Sequence, residues 1–350
     1  MNERAVDRSG AGTIALVIPG RNCAATLDKC LESVERCRER LMPRELRIVY
    51  VDDSSTDSSR NIAGRFSSVM VLESDARGPG AARNVGWRAS EADWVWFVDS
   101  DCIVEPDALE YLLAHESDGR TGGVSGAYGI ANPHSMVARL IHEEIAARHR
   151  RMALAPGGEV DFLASFSVLY RREALERTGG FDVRYLKGQD AELAFRVQDA
   201  GYVLRFEPRS IAHHHHEERL LGYLRTQRRH GYWRVLLHGE HKGRAVRNSY
   251  SDWTDHLQPP VALAAVGVLV LSLAWWPVAL LGASAVFALA LLQLPMSAAI
   301  ASHARVTEAV LFVPFGMVRA LWRGVGLAHG FLRPAKLPPP VGDGAPTSRG

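Results

Sequence analysis

Cysteine is scarce. Four occur in 350 residues, at positions 23, 30, 37 and 102, and no two form a CxxC pair. Neither a zinc knuckle nor a disulfide framework can be built from them, and thiols used this way suit a reducing compartment. Cys23, Cys30 and Cys37 are spaced by sevens, which on a helix makes one semi-buried stripe. An excess of one charge is also missing: 41 Lys and Arg stand against 39 Asp and Glu, a net charge of +2. That balance gives no global field for nucleic acid, and no nucleic-acid partner is expected. The first ten residues contain Asp7 and no apolar run, so they do not read as a signal peptide. No internal repeat stands out.

Charge is absent altogether from Val261 to Pro295. As helix that stretch would run roughly 52 Å, too long for one crossing of a ~30 Å hydrocarbon core. Trp275-Trp276-Pro277 in its middle suits a tight turn at a membrane interface. The expectation is a helical hairpin with spans near 260–276 and 278–295. Arg244 and Arg247 precede it, Arg305 follows it and its turn has no positive charge, which puts both ends on the cytoplasmic side. Residues 304–333 mix apolar positions with Glu308, Arg319 and Arg323. They read as an amphipathic interfacial helix rather than a third span, both alternatives remaining open.

What is present upstream is an alternation of strands and helices. Apolar runs at Thr13–Pro19, Leu46–Val51, Val69–Leu72 and Trp94–Val98 are separated by stretches of helical spacing, one of them at Gly80–Ala89. Such alternation predicts βαβ units and a mainly parallel sheet flanked by helices. After Gly119 the pattern loosens. Helices are expected at 135–151, 171–178, 190–200 and 217–237, extended chain at 160–170, and a strand at 203–206.

Acidic residues sit where buried strands surface. Asp52-Asp53 closes the second strand, Asp99-Ser100-Asp101 closes the fourth, and Gln189-Asp190 opens a later helix. Alternation along an extended chain puts Asp99 and Asp101 on one side, where two hard oxygen ligands could hold a divalent cation carrying phosphates. A polar turn before Pro106 explains the same residues equally well. Asp52 and Asp53, with Pro19-Gly20-Arg21-Asn22 on a neighbouring strand, would line a crevice suited to a base or ribose. Arg77-Gly78-Pro79-Gly80-Ala81-Ala82-Arg83-Asn84 is a glycine-rich helix start whose free N–H groups favour phosphate; it has neither GxGxxG nor GKS/GKT. Asp190 in a helix's first turn is held ionised by the dipole and could accept a proton from an attacking hydroxyl. One of His213-His214-His215-His216 could complete a metal shell, His214 being our assignment.

Taken together, VIPGRN (17–22), VYVDDSSTD (49–57), GPGAARNVG (78–86), WFVDSDCIVEP (96–106), GGFDVRYLKGQDAEL (179–193) and RTQRRHGYW (225–233) resemble glycosyltransferase family 2, inverting nucleotide-sugar enzymes of GT-A fold. The resemblance runs from about residue 12 to 235, in the family's order. It implies that Asp52 or Asp53 holds the nucleotide, beside Pro19, Arg21 and Asn22, and that Arg83 and Asp99 also face the donor. Asp99 and Asp101 match the DxD pair, with Asp101 holding Mg²⁺ or Mn²⁺ most directly. Asp190 matches the catalytic base. Gln227 to Trp233 resembles a relaxed QxxRW element, so Gln227 and Trp233 are expected near donor and acceptor. His230 stands where arginine is usual, and Gln189 where a second carboxylate is.

The resulting expectation is a chain of six parts. A flexible stretch (1–11) precedes a GT-A transferase domain (12–240), a basic juxtamembrane linker (241–258) and a transmembrane hairpin (259–296). Then come the helix at 304–333 and a disordered tail (334–350). The implied activity is metal-dependent, inverting transfer from a UDP- or GDP-sugar to a hydroxyl of a lipid-linked or glycan acceptor. It would take place among membrane lipids at the cell inner membrane, with the catalytic domain cytoplasmic. A membrane-bound, catalytically weakened nucleotide-sugar-binding or scaffold protein is the alternative, supported by Gln189 and His230.

Overall fold

The structure, a computed structural model, describes residues 12–75, 77–241 and 249–334. The expected flexible start, the tail beyond 334, and Arg244 and Arg247 lie outside these residues. In chain order the elements begin β1 (Ile14–Gly20), α1 (Leu27–Leu41), β2 (Leu46–Asp52), α2 (Ser59–Ala63), β3 (Val69–Glu73), α3 (Pro79–Arg88), β4 (Trp94–Val98), β5 (Cys102–Val104) and α4 (Ala108–Leu113). They continue with β6 (Thr121–Ile130), α5 (Met136–Met152), β7 (Glu159–Val160), β8 (Ser167–Arg171), α6 (Arg172–Thr178), α7 (Gln189–Asp199), β9 (Val203–His214) and α8 (Leu220–Glu240). The last four helices are α9 (Trp253–Ser272), α10 (Ala279–Leu291), α11 (Leu294–Ala301) and α12 (Val306–Leu332).

The strands form one sheet in the order β3-β2-β1-β4-β8-β6-β9-β5, with β7 paired to β9. β1 to β4 are mutually parallel, as their unbroken apolar runs predict for strands covered on both faces. Every residue of β1 and β4 is buried. β8 reverses direction between β4 and β6, so the second half of the sheet is mixed. One apolar layer, with Leu16, Trp96 and Leu31, fills the α1 face. Another, with Val17, Phe97 and Leu193, fills the α3 and α7 face.

Four local readings change. β6 was not foreseen, because Thr121-Gly122-Gly123-Val124-Ser125-Gly126 has no apolar alternation; pairing with β8 on one side and β9 on the other makes it a strand. Only the ends of the expected extended segment 160–170 are paired, and β9 runs on to His214 instead of ending at Phe206. Cys23 precedes α1, so the stripe reduces to Cys30 and Cys37, both buried.

The C-terminal helices differ more. Asp252 caps α9 through a reciprocal capping box with Asp255, so the helix starts inside the expected linker and carries Pro259 and Pro260 within it. α9 and α10 form the expected hairpin around a 3-10 turn at Trp276–Val278. Three helical stretches, 253–272, 276–301 and 306–332, are long and apolar enough to cross a membrane, so α12 qualifies alongside the hairpin.

α12 also lies against the first 240 residues. Tyr223 stacks on Phe315 at 5.0 Å between ring centres, and Tyr232 meets His329 at 5.0 Å, so α8 and α12 run side by side in one direction. The backbones are close enough that a Cβ at Gly231 would strike the Arg323 carbonyl, and one at Gly326 the Arg228 carbonyl. A buried ionic knot completes the joint. Arg148 of α5 donates to both Asp255 oxygens at 2.6 and 2.8 Å and to Glu144 at 2.7 Å. Arg319 of α12 pairs with Glu144 and donates to Gln258 at 2.9 Å.

Candidate active site

The parallel pairing of β1 with β2 sets Gly20 opposite Asp52. Beyond that register the two chains stay joined, because the Asp53 N–H donates to the Gly20 carbonyl at 2.8 Å. Asn22 adopts a left-handed φ of 51°, and its Oδ1 accepts from the Thr56 N–H at 2.8 Å. Asn22 therefore ties the two loops together. Asp52 is likewise engaged, accepting from the Tyr50 hydroxyl at 3.1 Å and the Ser55 N–H at 3.0 Å. Asp53 differs. Its Oδ2 accepts from the Gly78 N–H at 3.1 Å, while its Oδ1 is buried without a partner. Of the adjacent aspartates, Asp53 keeps the free acceptor. Arg21 is exposed.

At the end of β4 the two further aspartates part ways. Asp99 accepts from Arg83 at 2.5 Å. The Arg83 side chain is buried, lies over the Phe181 ring at 5.2 Å and leaves its Nε without a partner. Asp101 has no arginine; His214 Nε2 stands 3.4 Å from its Oδ1. β5 and β9 make this contact, since their register sets Cys102 opposite His214. Burial raises the Asp101 carboxyl, while His214 pulls it down. Ligand atoms of Asp101, Cys102 and His214 lie within 4.8 Å of one another. Burial drives the Cys102 thiol well above its usual range, so it is a neutral neighbour and the donors are one oxygen and one nitrogen. The other β9 histidine turns away, His213 pairing with Glu105 at 2.6 Å. His216 sits in an aromatic cluster with Tyr128 and His142.

Asp190 occupies the first turn of α7, after Gly188 at φ 81°. Its Oδ1 accepts from the Ala191 N–H at 2.9 Å. Burial raises the carboxyl above its ordinary value, outweighing the Ala191 N–H and Arg83, which lower it. Burial thus acts on Asp190 against the helix dipole. A Cβ at Gly80 would strike Gln189 Oε1, so the starts of α3 and α7 touch.

A cavity of about 740 Å³ joins these groups, lined by Pro19, Arg83, Asp99, Asp101, Asp190 and His214, and on α8 by Gln227 and Trp233. Gln227 accepts from Arg323 Nε at 2.6 Å, and Trp233 packs on Tyr185 at 6.0 Å. Arg21, Asn22, Asp52 and Asp53 lie outside it, on the adjoining β1 and β2 loops. Sequence reasoning missed Tyr128, hidden in the unforeseen β6, and Arg323. Arginine within a largely apolar helix was the available signal for the second.

Residues 15–179 match the family model for glycosyl transferase family 2. The chain carries a family 2 glycosyltransferase domain. It is 31% identical over 217 residues to the pre-mycofactocin glycosyltransferase of Mycobacterium tuberculosis, covering 60% of this chain and 44% of that one. It is 29% identical over 178 residues to the O-antigen chain rhamnosyltransferase WbaN of Salmonella anatum, covering 49% and 56%. The chain therefore spans about half the length of these curated relatives. Mannosyltransferase PcManGT from Pyrobaculum calidifontis, solved with GDP-Man and Mn²⁺, superposes with a TM-score of 0.57 at 19% identity, covering 92% of this chain and 87% of that one. The family 2 domain shares the GT-A fold, as its motifs implied.

Proposed function

We propose that this protein is a metal-dependent, inverting glycosyltransferase that moves a sugar from a UDP- or GDP-sugar to a hydroxyl of a lipid-linked or membrane-associated acceptor. The observation that carries the reading is the shared cavity: Asp101 with His214, and Asp190, open into one space that Pro259 of α9 and Leu327 of α12 also line. Asp53 Oδ1 is an unpaired acceptor for a base or ribose donor, with Arg83 and Asp99 beside the phosphates. Asp101 and His214 would hold a divalent cation, which when bound supplies charge neutralisation on the leaving diphosphate. An oxygen-plus-nitrogen set suits Mn²⁺ better than Mg²⁺, which prefers oxygens alone.

Asp190 takes the proton of the acceptor hydroxyl. The hydroxyl oxygen bonds to the anomeric carbon from the face opposite the diphosphate, whose C–O bond breaks with its electron pair. A raised carboxyl is the stronger base for this step, and the neutral Gln189 beside it adds no second charge.

The exposed Arg225, Arg228 and Arg229 of α8 suit anionic headgroups. Trp275 and Trp276, 60% and 79% exposed, suit the interface at the hairpin tip. Both support the reading that the protein sits at the inner membrane with the catalytic domain cytoplasmic.

The test is Asp190→Asn in full-length, detergent-solubilised protein. Turnover falls about 10²–10⁴-fold while calorimetric affinity for UDP or GDP with Mn²⁺ is kept; unchanged turnover would remove Asp190 from the role. The raised carboxyl also places the acid limb of the wild-type pH–rate profile above the pH at which an ordinary aspartate ionises.

A further inference from the structure

The cavity has two electrical ends. Asp99, Asp101 and Asp190 mark one; Arg234 and Arg323 mark the other. Around the second end the charges do not balance. Arg148, Arg234, Arg319 and Arg323 face only two carboxylates, Glu144 and Asp255, and both of these are taken by Arg148 and Arg319. Arg234 donates to the Ser251 hydroxyl at 3.2 Å and Arg323 to the Gln227 amide oxygen at 2.6 Å. Among the described residues neither guanidinium has a carboxylate partner. Two positive charges, both half-buried in the cavity wall, are thus held by neutral acceptors alone, an arrangement that an anion would complete. Burial first, and Arg323 second, bring Arg234 down to about 10, so it is still protonated at neutral pH.

The helices that supply these groups say what kind of anion. Arg234 is on α8, the element of the relaxed QxxRW motif. Arg323 is on α12, one of the three stretches apolar enough to cross a membrane. Pro259 of α9 and Leu327 of α12 line the same end of the cavity. An anion between the two arginines therefore lies beside apolar helices. The donor's phosphates have their own partners at the acidic end, where Arg83 meets Asp99.

We propose that Arg234 and Arg323 form a subsite for the phosphoryl group of an amphiphilic acceptor, seating its head between α8 and α12 with its apolar chain along α9 and α12. This rests on the glycosyltransferase reading and narrows its acceptor from any hydroxyl compound to a phosphorylated amphiphile. Guanidinium forks pair with phosphate oxygens through two parallel N–H bonds each, which an alcohol cannot match.

The experiment uses full-length protein in detergent and two separate titrations: UDP or GDP with Mn²⁺, and farnesyl phosphate with farnesol and inorganic phosphate as controls. Wild-type protein is expected to bind farnesyl phosphate at least tenfold more tightly than either control. Arg234→Gln and Arg323→Gln each weaken that binding tenfold or more, and Arg323→Lys recovers part of it. Nucleotide–Mn²⁺ affinity changes less than twofold in all three. The two arginines lie on different helices, so a folding defect in one variant leaves the other as the test. Equal binding of farnesol, equal binding of inorganic phosphate, or full affinity in both glutamine variants overturns the subsite. Loss of nucleotide affinity instead would assign the arginines to the donor and overturn it as well. Failure of wild-type protein to bind either nucleotide with Mn²⁺ counts against the glycosyltransferase reading itself.

Discussion

Replacing Arg148 by methionine is expected to loosen the whole C-terminal assembly. The Arg148 side chain is 3% exposed, and Asp255 and Glu144 are 5% and 7% exposed. Its guanidinium makes four hydrogen bonds, two to Asp255, one to Glu144 and one to the Tyr250 carbonyl at 2.9 Å. Methionine fills much of the volume and leaves Asp255 buried without its cation. Breaking one side of a buried pair costs about 3–5 kcal/mol. Because Arg319 still serves Glu144, the stranded charge is chiefly Asp255. Arg148→Met combined with Asp255→Leu should therefore cost less than the two single changes added together, with a coupling of about 2 kcal/mol. The pH dependence has a definite sign. Burial pushes the Asp255 carboxyl up, but the charge and hydrogen bonds of Arg148 hold it well below its ordinary 3.8. A depressed carboxyl contributes its stability above the ordinary value and loses it as pH falls toward the native one. The gap between wild type and Arg148→Met should be full at neutral pH and shrink as pH falls through the ordinary aspartate value of 3.8. Denaturant titration in detergent, followed by tryptophan fluorescence, reads all three quantities. A cost under about 1 kcal/mol, or strict additivity of the double change, would refute the argument that this knot joins the helices to the sheet domain.

Other outcomes follow from the same geometry. Asp101→Ala should abolish Mn²⁺-dependent nucleotide binding, with His214→Ala weakening it less; calorimetry showing normal binding for Asp101→Ala would contradict the assignment. Gly326→Leu must push α12 off α8, because a side chain there meets the Arg228 carbonyl, and limited proteolysis should then cut sooner between the two halves. Full-length protein should stay in the pellet through alkaline extraction, and release in the supernatant without detergent would sink the membrane reading.

How much of this could be read from residues alone depends on where the causes lie. β1, β2 and β4 announced themselves because parallel strands covered on both faces are unbroken apolar runs, and the acidic residues at their ends followed. β6 did not, since its form comes from two neighbouring strands rather than from its own side chains. At Asp190 the local term is the dipole of α7, which favours the charged form; burial, a property of the folded chain, raises the carboxyl. Asp52 and Asp53 are adjacent and alike in sequence. Only the hydroxyl of Tyr50 and the N–H of Ser55, both spent on Asp52, separate them. Arg323 looked like one charge on an amphipathic face, yet it faces Gln227, 96 positions away, inside the cavity.

The joint between α8 and α12 bears on how portable the transferase is. A chain cut after residue 241 would keep Asp101 beside β5 and Asp190 at the start of α7. It would also lose one side of the cavity that they line. Leu140, Ile141, Tyr223 and Leu224, now covered by Ile300, Phe312 and Phe315, would face water, and Gln227 would lose Arg323. The helices α9 and α12, long and apolar enough to cross a membrane, are thus also masonry of this cavity, so trimming them for solubility would dismantle the room.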